Sequence, residues 1–486
     1  MLFNSYEFIF VFLPITFVVY FFLNKKKLTE ASKALLVVSS LFFYSWWNPV
    51  YLPLILISMV FNYVIGTSLG KSQEHKIVSK KKLVCVGVVG NLGLLGYFKY
   101  SDFFISNLNY VAGTNIELLN LALPLAISFF TFQQIAYLID SYRGETKEYD
   151  FLNYAVFVSF FPQLIAGPIV HHKEMMPQFA NNRNKLLNYK NVSLGVFIFS
   201  IGFFKKAVIA DSFAVWATHG FDNAITLSFF EAWATSLSYS FQIYFDFSGY
   251  SDMAIGVALL FNIKLPINFN SPYKALDIQS FWRRWHITLS RFLRDYVYLP
   301  LGGNRKGNYR TYNNLLMTFI IGGIWHGAGW TFVFWGFLHG MALVIHRFWK
   351  GLNYKFNKVI AWIITFNFVN ITWVFFRAKE WDDAIKVIKG MFGVGGIILP
   401  NFLASKLGFL SQLGIEFGGF VANIKGDIFT PIWIFVFFFI VLIPKNSVEL
   451  LKDFKPNYLS AIYSAILFVI AVLSLNKVSE FLYFNF

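Results

Sequence analysis

The sequence predicts an all-α polytopic membrane protein. Of its 486 residues, 57% are hydrophobic, 21% are aromatic and only 14% are charged. Apolar segments of helical length recur along the whole chain, and short basic segments separate several of them. Because no long polar segment interrupts this pattern, we expect a single membrane domain over residues 1–486, with the lipid bilayer as its main partner.

The basic residues predict how the chain is oriented. The formal net charge is +16, but the lysines and arginines lie in short loops, as they do on the cytoplasmic side of membrane proteins. The first apolar segment, residues 8–23, precedes a triplet of lysines at 25–27. This order predicts an N-terminus outside the membrane. Because the basic residues lie in short loops, a nucleic-acid partner is not expected.

The single cysteine, Cys85, cannot form an intrachain disulfide and is interpreted as a small core residue.

The apolar segments predict roughly eleven to thirteen helices. They cover residues 8–23, 34–47, 51–69, 83–100, 121–139, 154–169, 192–217, 227–245, 314–335, 337–349, 359–376, 430–443 and 460–475. Residues 390–429 are rich in glycine, and the pattern predicts no element there.

The segment at residues 160–172, FFPQLIAGPIVHH, interrupts one of these helices. Pro162, Gly167 and Pro168 predict a helix break, which a membrane tolerates where the backbone is buried in protein or lines a wet cavity. An ordinary helix end, with His171 and His172 at the membrane interface, is an equally good interpretation of the pattern.

The most charged stretch lies between residues 262 and 312. From 264 to 310 there are nine lysines or arginines but two acidic residues, which favours the cytoplasmic side. Asp277 is placed to cap one amphipathic helix beginning near Ile278. Five residues at helical spacing would share one face of this helix, namely Trp282, Trp285, His286, Leu289 and Leu293.

Two histidines are the candidates for catalysis. His326, in GGIWHGAGW, lies in an apolar segment between glycines that allow a backbone or a ligand to come close. A neutral imidazole there is suited to removing a proton from a hydroxyl. A structural histidine bonded to a neighbouring helix is the alternative. His286 is either a second functional histidine or an interfacial residue.

Other polar residues have plausible supporting roles. Arg283 and Arg284 suit either phosphate groups or anionic lipid headgroups. Asn304 and Arg305 lie in a glycine-rich segment that predicts either an ordinary turn or a phosphate site. Buried carboxylates need partners, so we interpret Asp246 and Asp252 as a structural polar core. No spacing of metal ligands predicts a metal site.

Four long motifs carry a resemblance to a known family. They are SFFPQLIAGPI, YFDFSGYSDMAIGVALLFNIKLPINFNSPY, FWRRWHITLSRFLRDYVYLPLGGNRKG and IGGIWHGAGWTFVFWGFLHG. In this order they resemble the membrane-bound O-acyltransferase family, in its bacterial branch typified by the alginate O-acetyltransferase membrane subunit. The resemblance covers about residues 1–390, with a catalytic core at 244–340, and leaves 391–486 as C-terminal helices.

The resemblance implies both an architecture and an activity. It implies a ring of tilted and re-entrant helices around a central tunnel, with His326 as the catalytic histidine and His286 as a second functional one. The tryptophans of the two histidine motifs, Trp282, Trp285 and Trp325, would line the tunnel or bind the donor together with Arg283, Arg284, Asn304 and Arg305.

The implied reaction moves an acetyl group from cytoplasmic acetyl-CoA across the bacterial inner membrane. It O-acetylates a surface polysaccharide such as alginate or peptidoglycan, through a separately encoded extracytoplasmic partner of the SGNH-hydrolase type. Acetyl-CoA is a substrate here, and no bound cofactor is expected. D-alanyl transfer to teichoic acid is one alternative, and a secondary transporter or glycan channel is an alternative of another class.

Overall fold

A computed structural model describes residues 1–71, 79–146, 148, 150–354, 356–475 and 482. It is 75% helical. Six helical stretches of the described chain are long and apolar enough to cross a membrane, and a bent pair of helices, Phe429–Leu442 with Ser447–Asp453, makes up to seven. The predicted all-α polytopic class is confirmed. The six stretches are Phe8–Lys25, Pro49–Gly70, Lys80–Ala112, Tyr189–Asn223, Trp330–Gly351 and Lys358–Arg377.

The helices follow one another along the whole described chain. The first ten are α1 Leu13–Lys25, α2 Thr29–Ser45, α3 Leu52–Lys71, α4 Lys80–Ala112, α5 Ile127–Arg143, α6 Phe151–Ser159, α7 Phe161–Leu164, α8 His172–Ala180, α9 Tyr189–Phe204 and α10 Asp211–Thr218. The others are α11 Phe229–Leu260, α12 Ile278–Trp282, α13 Ile287–Leu293, α14 Asn308–His326, α15 Trp330–Gly351, α16 Lys358–Arg377, α17 Trp381–Met391, α18 Ala404–Leu407, α19 Phe429–Leu442, α20 Ser447–Asp453 and α21 Tyr458–Leu473.

The chain divides into two compact units. Unit 1 contains residues 1–203, 250–267 and 453–469, and unit 2 contains residues 204–249, 268–452 and 470–486. The expectation of one membrane domain over the whole chain stays a prediction.

In unit 1, helix α5 lies in the core, with most of its side chains buried. Its polar residues bond to neighbouring helices. The amide nitrogen of Gln134 donates to Ser58 Oγ at 3.0 Å, and the Tyr154 hydroxyl donates to Gln134 Oε1 at 3.0 Å. A buried helix with this many polar groups is stable only when its neighbours satisfy them, which explains why protein surrounds α5.

The predicted helix break follows α6. This helix ends at Ser159, and the short α7 follows, with Pro162 in its first turn. The side chains of Gln133 and Gln163 both donate to the freed carbonyl of Phe157 at 2.7 Å. His171 and His172 are both buried within the protein, each 5% exposed. Their predicted position at the membrane interface stays a prediction.

Helix α11 is longer than predicted. It runs from Phe229 to Leu260, whereas the apolar pattern ended at residue 245. The sequence prediction stopped there because Asp246 and Asp252 follow, but both aspartates are buried within the helix. An acidic residue ends an apolar pattern without ending a helix when the protein interior provides its partner.

The single amphipathic helix predicted from Ile278 is wrong. In its place are α12 and α13, separated by residues 283–286. The backbone of this break bonds to a preceding segment, because Asn270 N donates to Arg284 O at 2.9 Å and Ile287 N donates to Asn268 O at 3.0 Å. These bonds replace those of a continuous helix, so Trp282 and His286 do not share one helical face. Asp277 does cap α12, accepting from Ser280 N at 2.7 Å.

Helices α14 and α15 form a hairpin whose turn was misplaced by the apolar pattern. The break lies at residues 327–329, not between Trp335 and Phe337. Gly336 continues α15, because a β-carbon there would lie 2.4 Å from Phe319 O and 3.2 Å from the Cα of Gly323. This glycine is therefore a contact point between two helices.

The glycine-rich segment at residues 390–429 contains two short strands. Residues 397–400 and 415–418 form two short parallel strands, β1 and β2, with Ile397 opposite Ile415. They lie in the glycine-rich segment for which no element was predicted.

Cys85 is exposed on α4, so its interpretation as a core residue is wrong.

Candidate active site

The two candidate histidines both lie in unit 2, on either side of Trp325. His326 is the last residue of α14, and His286 immediately precedes α13. The ring centroid of Trp325 is 4.9 Å from that of His326 and 6.5 Å from that of His286. Residues forty positions apart in the sequence are thus linked through one indole.

His286 is fully buried and has an unusual backbone conformation. Its exposed fraction is 0%, and its φ of 41° lies in the left-handed region that favours glycine. Residues held in this region by their surroundings are concentrated at functional sites. The Phe247 ring packs edge-on against the imidazole, with centroids 4.7 Å apart.

The hydrogen bonds of His286 differ between its two ring nitrogens. Nδ1 lies 3.1 Å from Asn268 Oδ1. Nε2 is buried and has no hydrogen-bond partner among the residues that the structure describes. His286 lies outside the candidate spans, and burial lowers the pKa of its imidazole to about 3 because it disfavours the charged form. The ring is therefore neutral at physiological pH.

His326 lies in an aromatic pocket. Its ring is 5.2 Å from that of Trp335 and 5.0 Å from that of Phe376, measured between centroids, and the residue is 5% exposed. The neighbouring glycines were expected to leave room for a backbone or a ligand. A β-carbon on Gly327 would lie 2.2 Å from the Phe332 ring, so at this position a protein side chain occupies the space.

A third buried histidine, His339, was not singled out from the sequence. Trp282 Nε1 donates to His339 Nδ1 at 3.2 Å, and Thr372 Oγ1 lies 3.0 Å from His339 Nε2. An indole N–H can only donate, so Nδ1 is the acceptor, and Nε2 carries the proton that bonds to Thr372. Both ring nitrogens are satisfied. The sequence signal was a lone polar residue one helical turn after Trp335.

The predicted donor-binding residues divide by exposure. Trp282, Trp285 and Trp325 are buried, whereas Arg283, Asn304 and Arg305 are exposed. Arg284 is half-buried, and its guanidinium donates to Ser280 Oγ at 3.3 Å and to Asn270 O at 3.4 Å.

The turn that holds Asn304 has the glycine conformations expected from LGGNRKG. Gly302, Gly303 and Gly307 all have positive φ. Because their side chains are exposed, Arg283 and Arg305 are cations that solvent can reach. The half-buried Arg284 is only partly accessible.

The predicted polar core has a partner that sequence reasoning missed. Lys206 Nζ lies 2.7 Å from Asp246 Oδ1 and 2.9 Å from Asp211 Oδ1, with all three side chains at most 5% exposed. Lys206 lies in a π-helical segment, Lys205–Ala210, between α9 and α10. A lysine in an apolar stretch, five residues before an aspartate, was the available signal. Asp252 is buried in unit 1.

The chain is similar to known acyltransferases over most of its length. The family profile for MBOAT, the membrane-bound O-acyltransferase family, matches residues 9–379. A peptidoglycan O-acetyltransferase of Helicobacter pylori is 49% identical, over 100% of this chain and 98% of the relative.

Two other relatives are less similar. A probable alginate O-acetylase of Pseudomonas aeruginosa is 40% identical over 87% of this chain and 79% of the relative. A teichoic acid D-alanyltransferase of Streptococcus thermophilus is 30% identical over 52% of this chain and 68% of the relative. The profile match contains both candidate histidines, and the chain is therefore an acyltransferase that belongs to the membrane-bound O-acyltransferase family.

Proposed function

We propose that this protein is a peptidoglycan O-acetyltransferase of the inner membrane, with His326 as the general base. The similarity to the Helicobacter pylori relative carries the choice of acceptor, because it extends over both chains almost completely. The similarity to the alginate relative covers less of each chain. Membership in an acyltransferase family also favours an enzyme over the transporter or channel considered from the sequence.

The proposed chemistry is the transfer of an acetyl group from a thioester to a hydroxyl. The hydroxyl oxygen attacks the thioester carbonyl while its proton passes to His326. The new C–O bond forms, the C–S bond breaks, and the thiolate leaves and takes up the proton from the imidazolium.

A developing oxyanion in this reaction needs a nearby hydrogen-bond donor. The indole of Trp335 lies beside His326, and its buried N–H has no hydrogen-bond partner among the described residues. We assign the role of oxyanion donor to Trp335.

Acetyl-CoA is the proposed donor. Its phosphates need cations that remain accessible to water. Arg283 and Arg305 are exposed, and they lie on a stretch whose many basic residues favour the cytoplasmic side. The acceptor lies on the other side of the membrane. A separately encoded extracytoplasmic protein of the SGNH type would receive the acetyl group and pass it to the glycan.

Replacing the proposed base tests the function directly. In cells whose own gene is replaced by His326→Ala, we expect ester-linked acetate on purified peptidoglycan to fall by at least about a hundredfold, since general-base catalysis contributes about 10²–10⁴. Mild alkali releases the esters, and chromatography distinguishes acetate from D-alanine.

A histidine outside the aromatic pocket provides the control. His346→Gln alters a partly exposed ring near Asp277 and should leave the acetate unchanged at equal protein levels. Retained acetate in a stably folded His326→Ala variant would contradict the proposed role of His326. Loss of esterified D-alanine instead of acetate would identify the chain as a D-alanyltransferase.

A further inference from the structure

The bonding of Asn268 carries an inference about the tautomer of His286. Asn268 is 1% exposed and lies in the segment whose backbone bonds to the break between α12 and α13. Its Oδ1 is 3.2 Å from the backbone N of Thr288, 3.0 Å from Thr288 Oγ1 and 3.1 Å from His286 Nδ1.

The backbone bond decides the orientation of the amide. A backbone N–H can only donate, so the Asn268 atom facing Thr288 N must be the oxygen and not the nitrogen. A flipped amide would place two donors against each other. The amide nitrogen of Asn268 is buried without a hydrogen-bond partner among the described residues, so the orientation is kept although it leaves a donor unsatisfied.

The tautomer of His286 follows from that orientation. An oxygen acceptor opposite Nδ1 requires Nδ1 to carry the proton, which leaves Nε2 with a lone pair. His339, with a donor opposite Nδ1, has the opposite tautomer. The imidazoles of His286 and His339 are thus held in opposite tautomers by their partners.

We propose that Asn268 is a positioning residue that holds His286 in the Nδ1–H tautomer, so that Nε2 accepts a hydrogen bond from an O–H or N–H group of the substrate. This rests on the proposed function only for the identity of the substrate. His286 Nε2, which no described residue bonds, and the left-handed backbone at His286 both fit a ring that is arranged for a ligand group rather than for folding.

Nitrogen-15 NMR of histidine-labelled protein tests the tautomer without any assay of activity. The chain has eight histidines, and a His286→Gln variant assigns the signals of His286 by their disappearance. We expect a protonated Nδ1 and an unprotonated Nε2 for His286. A protonated Nε2 in the wild-type protein would overturn the proposal.

Three variants test the consequence for the reaction. Asn268→Ala removes the acceptor, and we expect peptidoglycan acetate to fall by at least about a hundredfold, because a wrong histidine tautomer lowers catalysis by up to about 10⁴. Asn268→Asp keeps an oxygen opposite Nδ1 and should retain both the tautomer and a measurable activity. Asn370→Ala removes an equally buried asparagine of unit 2, which bonds Ser240 and Ser236, and should leave the tautomer of His286 unchanged.

The aspartate variant separates positioning from folding. A carboxylate beside Nδ1 stabilises the imidazolium, so acetyl transfer by Asn268→Asp should decline at a higher pH than in the wild type as the medium is acidified. The rings that pack on His286, those of Phe247 and Trp325, carry no titratable group.

An unshifted pH profile, or full activity of Asn268→Ala, would contradict the positioning role. If His326→Ala retains acetate while the NMR result holds, the proposed function fails and the assignment of the tautomer stands.

Discussion

Three buried histidines of unit 2 differ in how their ring nitrogens are bonded. Both nitrogens of His339 have partners in Trp282 and Thr372, which is the pattern of a histidine that joins helices. His286 has one bonded nitrogen, and its other nitrogen has no hydrogen-bond partner within the described part of the chain. In the sequence, all three are single imidazoles among aromatic residues, so only their hydrogen-bond partners distinguish a structural ring from a reactive one.

At the residue scale, the low pKa of His286 predicts a pH-dependent stability. Burial lowers this pKa to about 3, below the value of 6.5 for an exposed histidine. The unfolded chain therefore binds a proton that the folded chain does not, and stability present above pH 6.5 is lost as the pH falls towards 3. Between pH 6.5 and 4.5 the loss should be about 2–3 kcal/mol.

Thermal unfolding of the detergent-solubilised protein measures this effect. We expect the melting temperature to fall over that pH window in the wild type, and to fall less in His286→Gln, which lacks the titrating group. His346→Gln serves as the control and should follow the wild-type slope. Equal slopes for all three proteins would show that the pKa of His286 is the same in the folded and unfolded protein.

At the element scale, the two candidate histidines lie where helices end. His286 occupies the break between α12 and α13, and His326 is the last residue of α14. Backbone bonds from residues 268–270 hold the first break, and the packing of Phe332 against Gly327 holds the second. Each imidazole thus sits at a helix end, where the side chain is directed by local contacts and not by helical periodicity.

Close packing of α14 on α15 predicts the effect of one added methyl group. A β-carbon on Gly336 would approach Phe319 O to 2.4 Å, so Gly336→Ala must push the two helices apart. We expect a loss of about 1–3 kcal/mol in stability. Because α15 carries Trp335 against His326, peptidoglycan acetate should fall as well.

A second glycine in a helix gives the matched control. Gly93→Ala, on α4, adds its methyl group where no other atom lies within 4 Å. This change should be neutral or slightly stabilising, since alanine favours helices over glycine. Similar effects of both substitutions would show that helix propensity, and not the contact with α15, governs Gly336.

At the scale of the whole molecule, the basic loops predict the sidedness of the spans. Residues 350–358 contain three lysines, and the span Lys358–Arg377 separates them from the segment with β1 and β2. Residues 377–389, on the other side of this span, contain four basic residues but also three acidic ones. We therefore expect the lysine side in the cytoplasm and the strand segment outside. Extracytoplasmic strands would be accessible to a partner protein on the proposed acceptor side.

Cysteine labelling checks this arrangement. In a Cys85→Ala background, a membrane-impermeant maleimide should label Ser411→Cys in right-side-out vesicles and Leu352→Cys only in inside-out vesicles. Both positions are exposed, so accessibility to water is the variable under test. Labelling of both from the same side would mean that residues 358–377 do not cross the membrane, and the reverse pattern would place the strand segment in the cytoplasm.

Much of the fold could be predicted because a bilayer imposes a simple rule on sequence. Helices of apolar residues satisfy their own backbone, so hydropathy locates them, as it did for α16 and α19. The rule failed where buried polar groups had partners that are distant in sequence. The predicted α11 ended before Asp246 because the apolar pattern stops at this carboxylate. Its partner, Lys206, lies forty residues earlier, so the local pattern does not show that Asp246 is stabilised inside the helix.

The sequence by itself determined the membrane class, the order of most helices and the choice of His286 and His326 as candidates. Hydrophobicity and residue type are local properties, and motif resemblance depends on them alone. The tertiary structure decided the break before α13, the role of His339 as a bonded structural ring, and the proton position on His286. Each of these depends on a hydrogen bond to a residue many positions away, such as Asn268 or Thr372, and periodicity along the chain carries no information about such a partner.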